Sequence, residues 1–146
     1  MVAEVLTDGN ADDARTAVGL IDEIHDVASF TADAAYDTIA IYDAAAERGA
    51  KVIVPPRISA TRSTRSCARD RTVRRVKKVG RRQWKKESGY HQQGTAENAF
   101  FRYKPILGDR LRARSSSAQM VEALTGCSVL NRMLDLGRPE SVAIER

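Results

Sequence analysis

Two short apolar runs, VASFTA (27–32) and KVIV (51–54), with one helical repeat between them, constrain the fold of this chain more than any other feature. Both have strand length and carry β-branched or aromatic residues, which fit a pleated, half-buried surface. Between them Ile39, Tyr42 and Ala46 share one side of a helix over 38–48, and Gly49 is a good residue to end it. Pro55 and Pro56 stop the second run. Strand, helix and strand in this order predict a right-handed crossover and a parallel pair, hence an α/β fold. Upstream, Ala14, Val18, Ile21 and Ile24 keep helical spacing, with Asp22, Glu23 and Asp26 facing water. That pattern predicts a helix of about four turns, which Asn10 or Asp12 can cap. The run AEVL (3–6) can form a further strand before it.

Downstream the chain changes character. Residues 57–66 read as a polar loop. Val73, Val76 and Val79 recur among pairs of Arg and Lys, which predicts a short amphipathic helix that Gly80 breaks before 81–87. Trp84 stands among Arg81, Arg82, Lys85 and Lys86, where its ring can pack while the cations meet phosphates. A last helix is expected at about 117–135, capped from 115–117. Val121, Leu124, Cys127 or Ser128, Val129, Leu130 and Met133 would form its broad apolar stripe, with Cys127 a core residue. The tail 140–146 reads as loose.

Charge follows the same division. Residues 1–56 carry eleven acids against three bases, and residues 57–86 carry thirteen bases against Asp70 alone. The remaining residues are nearly balanced. A charge run is often only a solvated face, but one with a single acid to neutralise it is a polyanion-binding surface. Contact through Arg74, Arg75, Lys77, Lys78, Arg81, Arg82, Lys85 and Lys86 would be largely independent of base sequence, because no element evident in the sequence enters a groove. Arg110, Arg112 and Arg114 alternate and can extend a phosphate track.

Two acids stand out by position. Asp33 closes the VASFTA run, and in an open α/β sheet functional side chains gather where strands end. Asp37 can cap the following helix, with Tyr36 packed under the loop. In YHQQGTAENAFFRYK (90–104), Tyr90, Glu97 and Lys104 recur every seven residues, which sets them along one face of a helix. Phe100 and Phe101 can anchor it. Spacing alone describes an ordinary amphipathic helix equally well.

The same residues resemble a known family. YHQQGTAENAFFRYK is similar to the glutamate segment of the DDE transposases of bacterial insertion sequences, with Tyr90, Glu97 and Lys104 on three of its four signature positions. Gln93 stands where the family has arginine. Asp33-Ala34-Ala35-Tyr36-Asp37 resembles a second motif, and RGAKVIVPPR (48–57) and LNRMLDLGRPES (130–141) agree further. The resemblance implies an incomplete ribonuclease-H-like core: a short, mostly parallel sheet flanked by helices, with a basic helical and loop insertion at 57–87 and a glutamate helix at about 94–107. It implies metal-dependent cleavage and strand transfer on duplex DNA, with Asp33 and Glu97 as catalytic and metal-binding acids and Tyr90 and Lys104 positioning DNA. Three carboxylates in that class hold two Mg²⁺ or Mn²⁺ ions. The first acid normally lies on an earlier strand, and Asp8, in a turn, is a poor substitute. The expectation is therefore the C-terminal part of a transposase, inactive alone, working as a homo-oligomer or with its N-terminal half.

Other readings share the charge pattern. A non-catalytic DNA-binding fragment that joins or inhibits a full-length transposase needs the cations but neither acid. An RNA-binding protein is disfavoured because Phe100, Phe101 and Trp84 do not form a stacking platform. Cys67 and Cys127 lie far apart with only two histidines in the chain, which argues for reduced thiols over zinc. No apolar run approaches the roughly 20 residues of a membrane span, so the expected setting is cytoplasmic and nucleoid-associated.

Overall fold

The computed structural model describes residues 5, 7, 10–65 and 68–137, apart from the side chains of 92, 93, 95–97, 99, 100 and 107. Most of the expected strand at 3–6, together with Asp8, Cys67 and the tail at 140–146, lies outside the described residues. The chain forms two compact units, Val2–Glu97 and Asn98–Arg146.

In the first unit, α1 (Asp13–Glu23) begins where the Asp12 carboxylate accepts the Arg15 N–H at 3.0 Å. It has three turns where four are expected, because the backbone is already extended at Ile24 and turns left-handed at Asp26 (φ 59°). Strand β1 (Ser29–Thr31) leads through a 3-10 turn (Ala34–Tyr36) into α2 (Ile39–Glu47), and β2 (Lys51–Ile53) follows Gly49, whose φ of 67° closes the helix. The strands pair in parallel, Ser29 with Lys51, Phe30 with Val52 and Thr31 with Ile53. Ala17 and Ile21 of α1 meet Ile41 and Ala44 of α2, and Phe30 and Val52 pack against them from the strands. An Arg48 guanidinium N–H to the Asp22 carbonyl ties the ends of the two helices. Ile41, Val54 and Val73 are fully enclosed, each contributing about 1.5–3 kcal/mol by burial.

Two basic helices complete this unit, α3 (Ala68–Val79) and α4 (Arg81–Ser88), separated by Gly80 at φ 82°. Both Arg75 Nε and Nη2 donate to Glu87 Oε2, at 2.9 and 2.7 Å, and so link the helices. Trp84 is buried, with its ring tilted 44° to that of Tyr90 at 6.2 Å, while Arg82, Lys85 and Lys86 around it remain exposed.

The boundary between the units falls within α5 (Gln93–Leu107). In the second unit Ser115 accepts the Ala118 N–H at 3.3 Å and starts α6 (Ser116–Asp135). The expected apolar stripe of α6 is largely uncovered: Val121, Leu124 and Val129 are exposed, Gly126 and Leu130 are buried, and Cys127 is half-buried. Sequence periodicity identifies a stripe but not the surface that covers it.

Glu122 secures the loop before α6. Its carboxylate accepts the Arg112 N–H at 2.9 Å and the Ala113 N–H at 2.8 Å, and these amides, with the Arg112 charge, hold its pKa below the ordinary glutamate range. A lowered native pKa gives a contribution that is present above the unfolded value and lost as pH falls through the native one. Amide shifts of Arg112 and Ala113 are therefore expected to titrate below the ordinary glutamate range, and Glu122→Gln should abolish that titration. Movement at an ordinary glutamate pH would contradict the bonding.

Candidate functional site

Asp33 lies two residues beyond β1, exposed, at the start of the 3-10 turn. Its Oδ1 accepts the Ala35 N–H at 2.7 Å and its carbonyl accepts the Tyr36 N–H at 3.3 Å, so the turn fixes the carboxylate from two sides. Tyr36 packs edge-on against Phe30 with centroids 6.0 Å apart, under the loop as the sequence implies. Burial, then the charges of Asp13 and Asp33, push its phenol pKa up.

Asp37 has a different task from the cap expected of it. Thr38 Oγ1 accepts the Ile41 N–H at 3.4 Å and caps α2, while the Asp37 side chain turns inward and is wholly buried. Arg69 of α3 grips it with Nε to Oδ1 at 2.8 Å and Nη2 to Oδ2 at 2.9 Å. The Arg57 backbone N–H adds a third donor at 2.9 Å. The Arg57 side chain donates to the Ala34 and Ala35 carbonyls at 3.2 and 2.7 Å, tying the segment after β2 to the loop that carries Asp33. The bond to Asp37 raises the Arg69 pKa further, so the guanidinium stays charged. Arg57 and Arg69 were not singled out in the sequence. Arg57 at the end of RGAKVIVPPR was a usable signal, but the pairing of Arg69 with a residue 32 positions away was not.

The basic surface is partly committed internally. Arg75 pairs with Glu87, and an Arg81 N–H meets the Pro56 carbonyl. Lys85 Nζ lies 4.6 Å from the centre of the Tyr90 ring. Among the described residues, Arg74, Lys77, Lys78, Arg82 and Lys86 make no ion pair with a carboxylate, and all five are exposed. With Trp84 enclosed, its ring cannot stack on a base.

Tyr90 belongs to a 3-10 turn (Tyr90–Gln92) ahead of α5, so it is not part of the regular α-helical row with Glu97 and Lys104. Glu97 lies in the second turn of α5; its side chain, like those of Gln93 and Phe100, is outside the described residues. Lys104 is exposed near the end of the helix, beside Pro105.

The family model for the transposase DDE domain matches residues 1–132. The chain belongs to that family. No solved structure matches the chain. Membership implies transposition, with DNA as partner and divalent metal ions in use. Among the described residues no three of His, Cys, Asp and Glu form a group that could hold a metal ion. Asp33 nevertheless fits a hard cation, as an exposed carboxylate held in place by its turn. Asp37 does not, because three donors from Arg69 and Arg57 occupy its oxygens. Among the described residues no helix is long and apolar enough to cross a membrane.

Proposed function

We propose that the chain supplies the second and third acids, Asp33 and Glu97, of a ribonuclease-H-like transposase site that cleaves and joins phosphodiesters of duplex DNA. The observation that carries this reading is Asp33 itself: an exposed carboxylate at the outgoing end of a parallel strand, held by its turn while its neighbour Asp37 is used up in the fold. When bound, Mg²⁺ or Mn²⁺ would activate a water or a 3′-hydroxyl and stabilise the leaving oxygen. Asp33 and Glu97 would hold the ions, Arg57 keeps the Asp33 loop against the end of β2, and Lys104 and Tyr90 would position the DNA strand.

Mn²⁺ tests the assignment without requiring turnover. Its paramagnetism is expected to broaden the amide signals of residues 32–36 and of the α5 turn containing Glu97. Asp33→Asn or Glu97→Gln should weaken that effect about tenfold or more, since even the loss of an outer partner costs this much. Broadening elsewhere, or none in either segment, rejects the site. With two acids assigned, the 146-residue chain alone is expected to leave DNA intact in Mg²⁺ or Mn²⁺. Cleavage that Glu97→Gln abolishes would show that a complete site is present. The non-catalytic reading makes the opposite prediction for function: alanine at both acids changes nothing, and loss of Arg74, Arg75, Lys77 and Lys78 removes it.

A further inference from the structure

The loop at 61–64 is fastened to α3 by two consecutive, oppositely charged residues. Asp70, itself buried, accepts the Ser63 backbone N–H at 2.9 Å and the Ser63 hydroxyl at 3.1 Å. The amide bond first, then the hydroxyl, hold its carboxyl below the ordinary aspartate range, so it remains an anion committed to this loop. Arg69, while gripping Asp37, donates Nη1 to the Thr61 carbonyl at 3.1 Å. These bonds set Arg62 and the hydroxyls of Thr61 and Thr64 beside one face of α3, from which Arg74 and Lys77 project one turn apart. Together they line an open hollow of about 520 Å³. Arg74 Nε is bonded to the Asp70 carbonyl at 3.3 Å, which steadies the guanidinium. Among the described residues, none of Arg62, Arg74 and Lys77 has a carboxylate partner.

Three cations around a hollow whose one acid among the described residues is spent on its own loop is an arrangement suited to one compact, multiply charged oxyanion. An arginine fork and an ammonium can share the oxygens of a single phosphate while a hydroxyl donates to another. Scattered surface cations would each meet a different phosphate instead. We infer that Arg62, Arg74 and Lys77, with the hydroxyls of Thr61 and Thr64, form one phosphate seat that fixes a single backbone phosphate of bound nucleic acid. This deepens the proposed function and rests on it for the source of the phosphate. The seat itself depends only on the hollow.

A shared seat has a signature that independent cations lack. The logarithm of affinity falls with the logarithm of salt by about 0.9 for each duplex phosphate contacted. Arg62→Gln, Arg74→Gln and Lys77→Gln should each reduce that slope by up to about 0.9, and the triple variant by about 0.9 in total. All three residues are exposed, so the variants should fold, which amide spectra can verify. A triple variant that loses about 2.7 would mean three separate phosphates and overturns the seat. An unchanged slope overturns it as well. Inorganic phosphate provides the second arm: it is expected to shift the amide signals of residues 61–64 and to leave them unmoved in the triple variant. Phosphate shifts without duplex binding would keep the seat and remove the DNA reading. Duplex binding with neither the slope change nor the phosphate shifts would remove the seat alone.

Discussion

Arg69→Ala is expected to destabilise the first unit by about 3–5 kcal/mol, because it leaves the buried Asp37 charge with only one backbone donor. The cost arises from the carboxylate that stays behind more than from the bonds removed. Taking both partners away should therefore recover much of the loss: Arg69→Met with Asp37→Leu exchanges a buried ion pair for apolar contact, a replacement that is often close to neutral. Urea unfolding of the single and double variants gives the comparison, read at constant slope. If Arg69→Ala costs under about 1 kcal/mol, the pair behaves like a solvated surface bridge, and the clamp does not hold the Asp33 loop. The same variant should also free Thr61 and loosen the 61–64 loop, since one guanidinium serves both.

A second large effect is expected in DNA affinity. Counting Arg74 and Lys77 once for their common phosphate, and adding Lys78, Arg82 and Lys86, gives about four contacts and a salt slope near −3.6. Between 50 and 200 mM salt the affinity for a random duplex should then fall more than about a hundredfold, with little dependence on sequence. Fluorescence anisotropy at four or five salt concentrations measures it. Binding that holds its strength over this range, or none at low salt, would remove the cationic helices from the DNA interface. Arg75→Gln is an informative control. Because Arg75 already serves Glu87, its loss should release the α3–α4 link while leaving the salt slope nearly unchanged.

The parts of this molecule legible in its sequence are those governed by neighbours in the chain. β1, α2 and β2 follow from the VASFTA and KVIV runs and the helical repeat between them, and Gly49 marks the turn that returns the chain to the sheet. Asp33 was identifiable for the same reason, as the acid beyond a strand. What sequence did not reveal depends on distant partners. Asp37 reads as a helix cap until Arg69 is brought to it from 32 residues away, and Tyr90 reads as the start of a helical row until its 3-10 turn sets its ring beside Trp84. The early end of α1 is a local effect but a subtle one, since no composition rule requires a left-handed backbone at Asp26. The exposed apolar residues of α6 show the other limit: a period of 3.6 specifies a face but is silent on its covering.

Four positions separate Asp33 from Asp37, yet any broad survey of variants would sort them into different classes. Scored by soluble yield, substitutions at Asp37 should stand out and those at Asp33 should pass unnoticed, because one acid is sealed inside the protein and the other faces water. Scored by Mn²⁺ broadening of residues 32–36, both should fail. Only the two readouts together would distinguish the residue that keeps the chain folded from the one that remains available for chemistry.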